Sequence, residues 1–521
     1  MFRIVSQKGY IEKIVPYLVW SVSSLWIGWW IAHNPLPDGY QNEYLHVGNA
    51  FDLYSALIKG DWWHVRWYAY TSYWPFGFYV LPVMGALAFG KSMAVLVYSH
   101  VFLLAGLLWA MRILAKQFES PYAPYLLLLT PACFGSMTRF EPNFANITMM
   151  AIGLVSLLKS EGFSNRRWSL LWGLVFGISL MLDRLTMVFY LGPAGLYVVW
   201  QSALSRSIVR RNVLWSLLIF LGTTVAYYRE FFLRHTAELL TQAPVGEIDS
   251  AGELLLSDNP VPVLYYVLSI LDSQAGLAVG FLMLWGVIIS IRRTSKEGLL
   301  FWSFVPGVGL FTIVAKKQVY YTFPILVPLA IFAGRSRMGS LCALVLGTLL
   351  WMQQGCGLIS SAVPISPRLP ERLVAPTYLL ARPPTHQSYD VSRLVEAIEG
   401  QPSEILVFSQ DQQWYEGFVV LQLRQYFEGH VRGVTADPIG VWEFSEEATY
   451  LVWVRPISVG EDFPVASAIT MELISDHYQL DALPPVSEKI QSLSTQFVEV
   501  VRWTSEEDSV ISLYKRIPVS P

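Results

Sequence analysis

What most constrains this chain is the recurrence of long apolar stretches. They lie near 14–32, 93–115, 121–138, 141–158, 168–182, 185–201, 212–228, 275–291, 299–315, 319–334 and 340–357. A membrane-spanning helix needs roughly 20 mostly apolar residues, because ~30 Å of hydrocarbon is crossed at ~1.5 Å per residue. The pattern predicts an α-helical polytopic membrane protein of about 11 spans. Composition agrees: 54% of the residues are hydrophobic and only 14% charged, against about 25% charged in soluble proteins. Arg3, Lys8 and Lys13 precede the first stretch, and Asn34-Pro35-Leu36-Pro37 follows it with no small-residue cleavage site. It reads as a retained signal anchor.

The net charge of −3 excludes a strongly basic nucleic-acid binder, but it sums two unlike parts. Residues 361–521 carry a net −11 and the rest +8. The positive charges fall in every second loop: Arg112 and Lys116; Lys159, Arg166 and Arg167; Arg206, Arg210 and Arg211; Arg292, Arg293 and Lys296; Arg335 and Arg337. The positive-inside rule makes these loops and the N-terminus cytoplasmic. An odd number of spans then puts the tail outside the plasma or inner membrane.

The expected domains are therefore 1–360, a membrane domain with a long first external loop at 34–92, and 361–521, a small extracytoplasmic α/β domain. In the tail, 403–409, 450–455, 498–503 and 510–515 read as strands and 414–427 as a helix. Cys133, Cys342 and Cys356 lie in or beside spans. The external tail has no cysteine, so no disulfide framework or thiolate zinc site is available there. The three read as small buried apolar residues.

The first external loop is longer than a connection requires, and long ordered loops are usually functional. Residues 48–59 suit an amphipathic helix, and Trp62, Trp63, Trp67 and Trp74, with Tyr68, Tyr70 and Tyr73, suit a membrane interface. Asp38, Glu43 and His46 are ionisable groups in the same loop, and Glu43 and His46 are spaced to share a helix face. A carboxylate there is a candidate general base or a candidate ligand of a divalent cation. Glu43 and His46 alone are few ligands for a metal, and no other cofactor is indicated.

Glu43-Tyr44-Leu45-His46, a helix, Gly60-Asp61-Trp62 and then Trp74-Pro75-Phe76-Gly77 resemble the first external loop of GT-C glycosyltransferases. That superfamily includes protein O-mannosyltransferases and the aminoarabinose transferases that modify lipid A. Asn42-Glu43 stands where Asp-Glu is usual, which divides the catalytic assignment between Glu43 and Asp38. The segment from Lys317 through Tyr321, Pro324 and Pro328 resembles a lysine-tyrosine-proline element of the family. Arg139-Phe140-Glu141-Pro142 resembles its Arg-x-Glu-Pro element.

The resemblance implies transfer of a sugar from a polyprenyl-phosphate-linked donor to a lipid, glycan or protein acceptor outside the membrane. Displacement at the anomeric carbon needs a base for the acceptor hydroxyl and positive charge for the departing phosphate. Glu43 or Asp38 would supply the first; Lys316, Lys317 or Arg139, with Tyr321, would bind the donor phosphate. Glu141 and His46 would orient a base or bind the acceptor, or help hold a metal. Snorkelling at a helix end is the plain alternative for Lys316 and Lys317. Asp183-Arg184 reads as a structural pair. The rival function is a transporter or flippase of lipid-linked glycans, which commonly shows internal repeats and midplane charges; neither is visible here. A third is a scaffold whose acidic domain recruits an envelope partner.

Overall fold

The computed structural model describes residues 2–34, 43–70, 75–183, 186–202, 206–242, 264–290, 295–313, 319–363, 365–366, 381, 383–384, 391–398, 400, 405–409, 419–420, 423, 426–427, 431–433, 449–456, 497–504 and 509–517. The chain divides into two compact units. Met1–Pro35 with Asn49–His386 forms the first, and Leu36–Gly48 with Gln387–Pro521 forms the second.

Within the described residues, all eleven apolar stretches fall on helical segments of the first unit. Helices Ile14–His33, Met93–Gln117 and Ser207–Glu230 are individually long and apolar enough to span a membrane. Others are built from shorter pieces, and the breaks have local causes. The stretch at 121–138 splits into Ala123–Leu128 and Pro131–Thr138. Pro131 cannot continue the helix hydrogen-bond ladder. Thr130 starts the second helix by accepting a hydrogen bond from the Cys133 amide. Large apolar side chains such as Phe89, Trp200 and Phe102 are exposed at 82%, 73% and 67%, which suits a surface solvated by lipid tails. Cys133 is buried as expected, but Cys342 is exposed on its helix.

Helices Arg166–Leu182 and Ser207–Gln242 pack along one another. Gly173 and Gly177, four apart, make this possible. A Cβ at Gly173 would strike the Ser216 carbonyl, and one at Gly177 would strike the Thr223 side chain. Small residues at this spacing let two backbones approach where hydrophobicity alone cannot drive helices together.

Ion pairing and backbone contacts tie together one set of helix ends, those next to the basic loops. Arg335 donates to Glu297 at 2.6 Å, to the Ser290 hydroxyl at 3.2 Å and to the Phe118 carbonyl at 3.3 Å. Ser120 donates to the Ile331 carbonyl at 2.6 Å. At the other ends separate polar pairs recur: Asn143 with Glu141, Asn146 with Asp183, Tyr190 with the Tyr321 carbonyl and Gln274 with Thr322.

The first loop is mostly helical. Its first helix, Glu43–Lys59, starts five residues before the expected Gly48 and so contains Glu43 and His46. Gly60 ends it at φ +69°, donating to the Leu57 carbonyl while Asp61 N–H reaches the Ala56 carbonyl. This two-bond closure needs a left-handed residue, hence glycine. Asp61 then opens helix Trp62–Tyr70 by accepting from the His64 amide at 3.2 Å, and its other oxygen meets His64 Nδ1 at 2.6 Å. That bond holds the Asp61 carboxyl below its ordinary value of 3.8. Gly-Asp-Trp is thus a stop-and-start signal between two helices. Helix Gly77–Phe89 follows.

In the second unit a five-stranded sheet has the order β2-β1-β3-β5-β4. Its strands are β1 (Ile405–Ser409), β2 (Val431–Gly433), β3 (Tyr450–Pro456), β4 (Phe497–Thr504) and β5 (Ser509–Arg516). β1 runs parallel to β2 and β3; β5 is antiparallel to β3 and β4. The four expected strands are present and β2 is additional. Ile405, Val407, Tyr450, Val452, Val454, Ile511 and Leu513 alternate into one core with Leu394, Val419 and Leu423. Of the helix expected at 414–427, Val419, Val420 and Leu423 are helical, and most of the remainder lies outside the described residues. Register shifts at Glu499/Val501 on β4.

Candidate active site

The Glu43–Lys59 helix fixes the geometry of the first candidates. Glu43 sits in its first turn and His46 one turn on, and both are buried, at 1% and 2% exposure. Buried ionisable groups are expensive and are retained where they are paired or used. A helix N-terminus also favours negative charge. Both residues belong to the second unit. Asp38, Lys316 and Lys317 lie outside the described residues.

In the first unit, helix Pro131–Thr138 turns sharply into helix Asn143–Lys159 through Arg139-Phe140-Glu141-Pro142. Glu141 N–H donates to the Arg139 carbonyl at 3.0 Å, which brings the two residues onto one tight turn. Asn143 Nδ2 donates to Glu141 Oε2 at 2.6 Å. Arg139 is half-buried and Glu141 is buried. Phe140 anchors the turn: fully buried, it packs on Phe78 at 4.8 Å and stacks on His100 at 6.3 Å and 18°. His100 Nδ1 lies 3.1 Å from the Met137 carbonyl and can only donate to it. Nδ1 therefore carries a proton, and among the described residues Nε2 has no hydrogen-bond partner.

Three further segments close around this turn. At the end of helix Arg166–Leu182, Asp183 accepts from Asn146 Nδ2 at 2.6 Å. Its expected neighbour Arg184 lies outside the described residues. Helix Gly77–Phe89 comes so close that a Cβ on Gly77 would collide with the Met181 carbonyl, so the Pro-Phe-Gly entry serves close packing beside Asp183. The third segment is the 3-10 helix Val319–Ile325, which packs against both Pro131–Thr138 and Asn143–Lys159. Tyr321 sits there, half-buried, with its ring stacked on Phe311 at 5.0 Å and its carbonyl accepting from Tyr190 Oη at 2.6 Å.

Opposite Val319–Ile325 lies a π-helical turn, Ile270–Gln274. Such turns are rare and frequent at functional sites. Gln274, fully buried, donates through Nε2 to Ser269 Oγ and Thr322 Oγ1, both at 2.8 Å. Asp272 is buried beside it in sequence.

The structure therefore gathers Arg139, Glu141 and Tyr321 at one end of the first unit, and Glu43 with His46 on one buried face in the second. Sequence reasoning missed Asn143, Asn146, Gln274, Asp272 and His100. The signal available was a polar residue inside an otherwise apolar run, which defaults to a functional reading in a membrane segment. Among the described residues no three His, Cys, Asp or Glu side chains group as a metal site.

No protein-family model matches the chain, and no curated protein matches it in sequence. Solved structures do. ArnT from Cupriavidus metallidurans, in the apo state, aligns with a TM-score of 0.59 at 13% identity, covering 98% of each chain. The same protein bound to undecaprenyl phosphate aligns with identical values. The chain thus shares, over nearly its whole length, the fold of these structures: many apolar helices of a polytopic membrane protein, with a small sheet in the C-terminal region.

Proposed function

We propose that the protein is an integral-membrane glycosyltransferase that moves a sugar from a polyprenyl-phosphate-linked donor to an acceptor on the extracytoplasmic face. The observation that carries this reading is the fold shared end to end with a protein whose structure holds undecaprenyl phosphate. The buried carboxylate of Glu43, in the loop whose motifs resemble that superfamily, supports it.

In the proposed reaction an acceptor hydroxyl attacks the anomeric carbon. Glu43 or Asp38 takes the hydroxyl proton, the bond from that carbon to the phosphate oxygen breaks, and polyprenyl phosphate leaves with the bonding pair. Arg139, Lys316 and Lys317 stabilise the charge on the departing phosphate, with Tyr321 beside them. Arg139 suits this because a guanidinium matches phosphate with two parallel donors. Glu141, held by Asn143, and His46 orient the base or the acceptor, or help hold a divalent cation if the enzyme uses one. Residues 1–360 form the transferase domain and 361–521 an accessory domain outside the membrane. The N-terminus faces the cytoplasm.

The test is transfer of radiolabelled sugar from a polyprenyl-phosphate hexose by purified protein in detergent. Glu43→Gln, nearly isosteric, and Asp38→Asn are compared with wild type. Losing a general base costs about 10²–10⁴-fold in rate, so one of the two should fall by that much with lipid binding retained. Wild-type rates in both variants would refute the base assignment. No transfer and no polyprenyl-phosphate binding by wild type would refute the function.

A further inference from the structure

Two buried carboxamides, one bonded to the Val319–Ile325 segment and one on a helix packed against it, are each half used. Asn146 is 1% exposed, on the helix that packs against that segment. Its Nδ2 donates to the Asp183 carboxylate, which only accepts, so the amide orientation is fixed. Among the described residues its Oδ1 is buried without a partner. Gln274 is 0% exposed and holds the same segment through Thr322. The Ser269 hydroxyl donates to the Tyr266 carbonyl and the Thr322 hydroxyl to the Val319 carbonyl. Both hydroxyl hydrogens are therefore committed, and only the NH₂ of Gln274 can face those two oxygens. Among the described residues its Oε1 is likewise buried without a partner.

An unmet buried acceptor is costly, and native proteins keep few of them. Two such oxygens, one bonded to the 3-10 segment through its own amide and one on a helix that packs against it, both with their donors locked in place, form a pair of preset acceptors awaiting O–H donors. We propose that Asn146 Oδ1 and Gln274 Oε1 accept hydrogen bonds from ring hydroxyls of the lipid-linked sugar, making them specificity-determining residues. The proposal rests on the glycosyltransferase reading. The chemistry fits a sugar better than its carrier: a phosphate offers acceptors, which these oxygens repel, and a prenyl chain offers no polar group. A site built to meet a hydroxyl rejects the analogue lacking it far more strongly than an apolar pocket rejects an added group.

The experiment measures binding of three probes to the purified full chain in detergent: undecaprenyl phosphate, a polyprenyl-phosphate hexose, and that hexose donor with single hydroxyls replaced by hydrogen. Wild type should bind at least one deoxy donor roughly tenfold or more weakly than the parent, the value of about one lost hydrogen bond. Asn146→Leu and Gln274→Met should each weaken the parent donor by a similar factor. Neither should weaken undecaprenyl phosphate, so the ratio of the two affinities within one variant separates recognition from misfolding. Retained discrimination by both variants, or equal binding of every deoxy donor by wild type, overturns the proposal. The deoxy series needs no variant, so equal binding of every deoxy donor by wild type overturns the proposal even if both substitutions unfold the protein. Failure of wild type to bind undecaprenyl phosphate or the hexose donor would instead overturn the glycosyltransferase reading itself.

Discussion

The ion pair between Arg335 and Glu297 makes a sharp prediction about stability. Glu297 Oε1 lies 2.6 Å from Arg335 Nη1, with the two side chains 7% and 21% exposed. Glu297 Oε2 is buried without a partner, so its charge depends on Arg335 alone among the described groups. Arg335 is better provided, with Ser290, the Phe118 carbonyl and the face of Phe332 at 5.5 Å. Removing one member of a buried pair costs about 3–5 kcal/mol, because the other charge stays buried and unpaired. Arg335→Met should therefore cost ~3–5 kcal/mol, and Glu297→Met less, about 1–3 kcal/mol, since Arg335 keeps three contacts and some solvent. Replacing both by apolar side chains removes both desolvation penalties, so the double variant should be more stable than Arg335→Met alone. Equilibrium unfolding in detergent, followed by tryptophan fluorescence, measures all four corners of the cycle. If the double variant is as unstable as the two single losses added together, the pair is not coupled and the reasoning fails.

Other perturbations test separate parts of the structure. Asp61→Ala should raise amide hydrogen exchange in Trp62–Tyr70, because that helix loses the oxygen that caps the His64 amide. The folded carboxyl is held below 3.8 by His64, so the cap's contribution is full above that value and is lost as pH falls below it. Exchange that is flat through that range would refute the cap. Gly173→Leu should destabilise the Arg166–Leu182 and Ser207–Gln242 pair by at least ~1–3 kcal/mol through overpacking against Ser216; an unchanged unfolding midpoint would contradict the close approach. With Cys133, Cys342 and Cys356 replaced, Arg206→Cys should react with membrane-impermeant maleimide only in inverted vesicles, and Val498→Cys only in intact cells. The reverse labelling would overturn the proposed orientation.

The helices were legible because lipid imposes a length and an apolar content that a single sequence displays openly. Their interruptions were less so. The Pro131 break follows from chemistry at one position, whereas the π-helical turn at Ile270–Gln274 follows from contacts with a segment some 50 residues away in the chain. β2 is three residues long, too short for alternation to register. In the candidate site, Arg139, Glu141 and Tyr321 stood out because charged or motif-bearing residues are conspicuous. Asn146 and Gln274 did not, since one neutral amide inside an apolar run leaves the periodicity intact. Gly60-Asp61-Trp62 illustrates the opposite case. It was conspicuous as a motif, and its local role proves to be ending one helix and beginning the next.

The sheet of the second unit has one more consequence. Among the described residues its outer strands are β2, three residues long, and β4, whose register slips between Glu499 and Val501. Arg502 bonds Glu499 on that same β4 border at 2.6 Å. Proteins anchored in a bilayer meet their own copies in two dimensions, where a long flat border with open amides would zip neighbouring molecules into ribbons. A stub on one side and a kinked, charged margin on the other deny such growth a template. In the placement proposed above, the domain can thus be crowded outside the membrane without polymerising, an advantage that no individual bond within it reveals.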